Sequence, residues 1–413
     1  MRMFNLPVNY HYRDDLFAGI TVGVITIPQA MAFALLAGLP PIYGLYGAFL
    51  PLLVYALLGT SNFLNVGPVS VIAIFIYDAI AGIATPFSPD YVSAVVTLGL
   101  LTGVIQLVAG ILRLGRYVEY LPKSVVSGFI QAAAVVIIIA QLPAAFGVEL
   151  VDQPTYLDRL YYLWLERNDF NPLSTALFLG ALIGLFVMAR LAPKFPTAIV
   201  LLVATAMAAF IADFEVMGVA LIGEVPQGLP SFELPLIDAS ILQLLPAAFG
   251  IAFVASLGSF VMAKNVAEQQ INPWQANRDL VALGLAKIVS AFTGALIPAG
   301  SFNRSILVIK SGGKTQLTSL IAALILLLTL LVLTPIVYYL PQPVIAAIIV
   351  YSVYFLFDFP LIGQLWQTNK RQLMYLLITA LTTLTIGFVE GILSGVVVSV
   401  FIEFFGKKRL SSS

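Results

Sequence analysis

Asn65-Val66-Gly67-Pro68-Val69-Ser70 opens an apolar run that stops near residue 82. Pro298-Ala299-Gly300-Ser301-Phe302-Asn303-Arg304-Ser305 opens another that stops near residue 311. At 1.5 Å rise per residue, neither helix crosses roughly 30 Å of hydrocarbon. Glycine permits an unusual turn, and proline suits a first helical turn, where its missing N–H is not needed. If both short helices begin at mid-membrane, their unpaired N–H groups and positive dipole ends converge on one small volume, which is an anion site. The alternative, from these residues alone, is two ordinary helix starts in boundary loops.

The rest of the chain puts these runs in lipid. Of 413 residues, 60% are hydrophobic and 10% charged, against roughly 45–50% and 25% in a soluble domain. One water-excluded core cannot hide that much apolar surface, whereas hydrocarbon accepts it. Formal net charge is zero, and no basic patch with interleaved aromatics points to nucleic acid. Cysteine is absent and His11 is the only histidine, so disulfides, thiolate metal sites and histidine-based centres are excluded. No Ser–His or paired-Asp constellation suggests an enzyme, and neither cofactor nor metal is expected. Arg13, Asp14 and Asp15 lead into an apolar run longer than a signal-peptide core.

Apolar runs fall near residues 17–37, 43–59, 68–82, 92–112, 122–146, 173–191, 196–214, 242–264, 279–295, 302–311, 316–335, 341–356, 372–389 and 390–406. This predicts an all-α membrane protein of fourteen segments, forming one transport domain over residues 1–413. With a cytoplasmic N-terminus, every Lys and Arg outside the spans except Arg159 and Arg167 faces the cytoplasm, including Arg113, Lys123, Lys264, Arg278 and Lys314. The outer polar stretches, with Asp152, Asp158, Glu166 and Asp169 and then Asp213 to Asp238, are acidic. This positive-inside pattern puts both termini in the cytoplasm and the protein in the cell membrane. Fourteen divides into seven plus seven, and an odd number inverts the second copy. Leu121-Pro122-Lys123-Ser124-Val125 opens segment five and Leu340-Pro341-Gln342-Pro343-Val344 opens its partner, twelve. The short segments, three and ten, are partners too, a pattern that points to a transporter's binding site.

Three polar features stand out within the spans. Arg304 begins a short segment, and an arginine at that depth is expected to face the protein interior and act there. Lys287 lies well inside segment nine, where it adds positive potential near the site or snorkels to the cytoplasmic side. Gln29 and Phe33 lie one turn apart after Pro28, sharing a helix face on which an amide meets an anion and a ring shapes the pocket. Kinking and packing would explain the same residues.

Pro28-Gln29-Ala30-Met31-Ala32, Leu39-Pro40-Pro41-Ile42-Tyr43-Gly44-Leu45-Tyr46, Leu58-Gly59-Thr60-Ser61 and Val66-Gly67-Pro68 resemble the signature of SulP sulfate permeases, the family of prestin and pendrin. Asn303-Arg304-Ser305 and Gly313-Lys314-Thr315-Gln316 extend the match. The resemblance implies a core of segments 1–4 and 8–11, a gate of segments 5–7 and 12–14, elevator-like motion and a homodimer. It implies an anion site between half-helices three and ten that takes in Gln29, Phe33, Gly67, Val69, Ser70, Phe302, Asn303 and Arg304. Asn303 replaces a serine often found there.

Relatives coupled to protons or sodium often carry an acid in segment eight, where this chain reads Ala255-Ser256-Leu257-Gly258-Ser259-Phe260. Gln29 stands where some have glutamate. Family members usually continue into a cytoplasmic STAS domain, so this chain, ending after Lys407-Lys408-Arg409-Leu410, is expected to be the membrane part of a longer protein. The implied activity is secondary transport of sulfate, bicarbonate or chloride. The rival readings are an uncoupled channel or motor-like protein, and a dicarboxylate or nucleobase symporter.

Overall fold

The computed structural model describes residues 11–116, 122–148, 156–192, 197–223, 226–235, 240–266 and 273–410. Leu121, Lys194, Asp152, Asp238 and the side chains of Glu403, Lys407, Lys408 and Arg409 lie outside the described part.

The chain runs α1 (Tyr12–Leu36), α2 (Pro41–Leu58), β1 (Asn65–Gly67), α3 (Ser70–Ile80), α4 (Pro89–Ile111), α5 (Lys123–Phe146), α6 (Tyr156–Leu165), α7 (Pro172–Leu191) and α8 (Thr197–Ala212). It continues with α9 (Ser240–Asn265), α10 (Ala276–Ala291), β2 (Ala299–Ser301), α11 (Phe302–Lys310), α12 (Leu317–Leu328), a π-helical turn (Thr329–Leu333) and α13 (Thr334–Val337). The last elements are α14 (Gln342–Tyr354), α15 (Phe359–Thr368), α16 (Lys370–Thr385) and α17 (Phe388–Leu410). Among the described residues seven helical stretches are long and apolar enough to cross a membrane, one of them running through α14 and α15 (Gln342–Thr368), and α3 and α8 are among the shorter apolar helices. Each of the fourteen predicted runs contains a helix. Among the described residues two α-helices fall wholly outside those runs. Both α6 and α15 are amphipathic, only 10 residues long, and expose Trp164 and Trp366, as helices lying at a membrane interface do.

Proline sets several helix starts. Pro122 before α5 and Pro341 before α14 adopt nearly the same extended conformation, φ −61°, ψ 131° and φ −70°, ψ 127°. Ser88 and Asn171 cap α4 and α7 by accepting from the backbone N–H groups of Tyr91 and Ser174.

Packing divides the helices into two groups. In one, α1 packs on α2 and α12, and α10 packs on α2 and α4, with α9 against α4. In the other, α5 packs on α7, α14 and α16, and α16 on α17. The groups meet where α1 touches α8 and α14 and α3 touches α5. Glycine allows close approach in the first group, since a Cβ on Gly44 would lie 2.0 Å from Ala30 O.

Two fully buried carboxylates fasten the first group together. Asp15 on α1 accepts from Lys314 N (2.6 Å), Thr315 N (3.1 Å), Thr318 Oγ1 (2.8 Å) and the Thr315 hydroxyl, just before and within α12. Asp279 on α10 accepts from Tyr55 OH (2.8 Å), Thr60 N and Oγ1 (both 2.7 Å) and Trp274 Nε1 (2.8 Å). Gln316 Nε2 bridges the two clusters by donating to Gly59 O at 2.9 Å. Several donors thus satisfy the oxygens of each buried carboxyl group.

Candidate functional site

Both short helices are launched from strands that pair with each other. β1 and β2 are antiparallel, with Asn65 opposite Ser301, Val66 opposite Gly300 and Gly67 opposite Ala299. The residues preceding α3 and α11, Val69 and Ser301, are extended, so each chain turns straight from strand into helix. Gly300 N donates to Ser259 Oγ on α9 at 2.9 Å, and a Cβ there would lie 2.7 Å from that oxygen. Only glycine fits this close approach. Asn65 N donates to Ser305 Oγ at 2.9 Å, a further tie between the two short-helix segments. The first turns of α3 and α11 therefore start side by side, and Ser301 Oγ caps α11 by accepting from Arg304 N at 3.4 Å.

A cavity of about 120 Å³ lies at these helix starts. Gln29, Phe33, Val69, Ser70, Phe302 and Asn303 all line it, so six of the eight predicted site residues come together. Gly67 and Arg304 stand behind the wall. Arg304 is 1% exposed; its Nε donates to Asn65 Oδ1 and its Nη1 to Pro68 O, both at 2.8 Å. Its Nη2, like Asn65 Nδ2, has no hydrogen-bond partner among the described residues. A Cβ on Gly67 would lie 3.1 Å from that Nη2, a tight contact. The guanidinium thus braces the β1–α3 turn and places its charge beside the cavity rather than in its lining.

The opposite wall comes from α5 and α14. Phe129, Ile130, Ile137, Ile349, Val353 and Leu356 make it apolar. Ser352, which sequence reasoning missed, is the exception. Its hydroxyl donates to Ile348 O at 2.8 Å, and Gln29 Nε2 approaches its oxygen at 3.5 Å. The available signal was a lone hydroxyl in the apolar run that follows Val344. Gly258 also lines the cavity, and no atom lies within 4 Å of a Cβ built there.

Lys287 neither lines the cavity nor snorkels. Its ammonium is buried and donates to Gln106 Oε1 on α4 at 2.7 Å. A wider recess of about 470 Å³ lies further along α1, lined by Leu35, Gln141, Glu215 and Gln342 among others.

The fold and site define a multi-pass membrane protein built around two short helices that start together. The chain belongs to the sulfate permease family, whose sequence profile matches residues 12–379. It is 35% identical over 392 residues to sulfate transporter 4.1, chloroplastic, of Arabidopsis thaliana, covering 94% of this chain and 57% of the relative. It is 32% identical to the sodium-independent sulfate anion transporter of Bos taurus, covering 95% and 69%, and 30% identical to prestin of Danio rerio, covering 94% and 56%. The chain thus spans little more than half the length of the first curated relatives it matches. The murine Slc26a9 anion transporter, solved in the inward-facing state, superposes with a TM-score of 0.89 at 25% identity, covering 97% of this chain and 70% of that one. The transmembrane domain of the cyanobacterial bicarbonate transporter BicA shares the fold at 24% identity and a TM-score of 0.81, covering 93% and 98%.

Proposed function

We propose that this chain is the transport domain of a secondary transporter of small inorganic anions, with sulfate, bicarbonate and chloride as candidates. The observation that carries the reading is the convergence of α3 and α11, through the β1–β2 ladder, on a cavity lined by Gln29, Phe33, Ser70 and Asn303. Helix N-termini and amide donors suit an anion of any of these kinds. Family membership and the sulfate-transporter relatives support the same reading.

The finer proposal is a seven-plus-seven inverted repeat that works as an elevator. The antiparallel strands ahead of α3 and α11, and the matched prolines ahead of α5 and α14, support the repeat. In this reading, segments 1–4 and 8–11 form the core and segments 5–7 and 12–14 the gate. The anion travels with the core. Both termini face the cytoplasm, the protein is a homodimer in the cell membrane, and no nucleic acid or cofactor takes part. Similarity to prestin favours one second reading, a channel- or motor-like protein; voltage-clamp recordings separate it by showing voltage-dependent charge movement or conductance without exchange.

The test is uptake by proteoliposomes of labelled sulfate, bicarbonate and chloride, with and without opposing anion gradients. Saturable uptake accelerated by anions on the opposite side supports the transporter. Absence of uptake for the whole panel, from protein shown to be folded, overturns it.

A further inference from the structure

Lys287 is a buried basic side chain that the site described above leaves unused. It stands on α10, 1% exposed, and Gln106 Oε1 accepts from its Nζ at 2.7 Å. Gln106, equally buried, is fixed in turn. Its Nε2 donates to Ser256 Oγ at 2.7 Å and reaches Ala252 O at 3.4 Å, both on α9, so its amide cannot flip without losing these contacts. Ser256 donates onward to Ala252 O at 2.6 Å. Among the described residues no carboxylate pairs with Lys287: the ion pair found there is Lys314 with Asp14, and the buried Asp15 and Asp279 are engaged by other donors. An ammonium buried in a membrane protein is costly without a counter-charge, and a neutral amide supplies none.

The geometry supplies a candidate counter-charge. α9 stands between Lys287 and the cavity. Its Ser256 meets Gln106 on α4, while Ala255 and Gly258 line the cavity and Ser259 holds Gly300 N. Lys287 therefore stands behind the cavity wall, on the far side of α9 and at least a helix width away. We infer that Lys287 is a positioning residue, a fixed cation held by Gln106 and Ser256 whose field sets the preference of the cavity for divalent over monovalent anions. This rests on reading the cavity as an anion site. One helix width is about 10 Å. Across that distance, at an effective dielectric constant of about 20, one unit charge changes affinity for a monoanion roughly tenfold and for a dianion roughly a hundredfold.

The experiment uses the purified chain at one fixed pH and constant ionic strength. Binding of labelled sulfate, or of labelled chloride where sulfate does not bind, is competed with unlabelled sulfate and chloride. Lys287→Met removes the charge. Gln106→Glu keeps the side-chain shape and the bond to Lys287 but cancels its field with a carboxylate; it gives up the two bonds that the amide donates to α9, with the Ser256 hydroxyl free to turn and donate to the new oxygen, and so serves as a second, independent variant if Lys287→Met fails to fold. Both variants are expected to lower the ratio of sulfate to chloride affinity about tenfold, with sulfate losing the more. A ratio unchanged from wild type, or equal losses for both anions, overturns the inference and leaves Lys287 as a bracket between α4 and α10. If wild type binds only monoanions, the cavity has no preference for dianions and the inference is overturned. If wild type binds neither anion, the anion-site reading fails first and this inference goes with it.

Discussion

Arg304 Nε donates to Asn65 Oδ1 at 2.8 Å, joining the start of α11 to β1 across the ladder. With Nη1 on Pro68 O, the guanidinium is committed to the backbone that shapes the α3 start. Two roles therefore fall on one residue: it braces the turn, and it holds a positive charge beside the cavity.

Arg304→Ala is expected to weaken anion binding and to destabilise the protein together. Asn65 Oδ1 and Pro68 O would lose their donors in a buried setting, at a cost of about 1–3 kcal/mol each. Arg304→Lys separates the roles, because it keeps the charge but cannot make both bonds from one planar group. It should melt earlier than wild type while binding anions more tightly than the alanine variant. Unchanged affinity and transport rate in folded Arg304→Ala would remove the electrostatic role.

Transport is expected to follow the anion gradient without strict need of sodium or protons. Neither Gln29 nor Gly258 offers a carboxylate to the cavity that both line. A Cβ built at Gly258 meets no atom within 4 Å, and the position lines the cavity, into which a longer side chain can extend. Gly258→Asp should therefore fold, and should lower anion affinity at neutral pH by tenfold or more through like-charge repulsion. Strict dependence of wild-type uptake on a sodium or proton gradient would refute the expectation.

Should that dependence appear, Asp15 and Asp279 would be the residues to suspect, but their surroundings argue for a structural role. Asp279 accepts from Tyr55, Thr60 and Trp274, which joins α10 to the end of α2. Asp279→Ala leaves those donors unpaired and should lower stability by about 3 kcal/mol or more. Protein that survives in lipid should keep wild-type anion affinity. Thermal melts and binding on the same preparation check both halves, and unaltered melting with altered affinity reverses the assignment.

Much of the site was legible because its signals are local. Gln29 and Phe33 share a face by helical spacing, and Gly67-Pro68 marks a helix start within a few residues. What sequence did not yield depends on distant partners. Arg304 was expected to face the interior, yet its direction is set by Asn65, 239 positions away. The β1–β2 ladder has the same character, since nothing in either three-residue strand states its register. Asp15 and Asp279 sit at the edges of apolar runs, where an acid reads as solvated until its donors are in place. α6 and α15 are not legible in the sequence because a ten-residue amphipathic helix has no spanning signature.

The last prediction concerns motion. Gln29, Ser70, Asn303 and the helix starts all belong to the proposed core, whereas the facing wall of α5 and α14 is apolar except for Ser352. A wall of this kind unpairs few polar groups when the core slides past it, and the 3.5 Å approach of Gln29 to Ser352 is long enough to break at little cost. The core is expected to move by on the order of one helical turn, about 5 Å, with its ligands in place. A second contact reports on that movement. Lys310 Nζ at the end of α11 lies 5.5 Å from the Phe355 ring centroid beside the end of α14, joining core to gate. The chain has no cysteine, so cysteines at positions 310 and 355 can be joined by a short thiol-reactive crosslinker without background. Transport in proteoliposomes should stop as the crosslink forms and return when a reducible linker is cleaved, while anion binding persists throughout. Continued transport at full crosslinking would show that core and gate need not slide past each other, and would leave a fixed site with local gating as the mechanism.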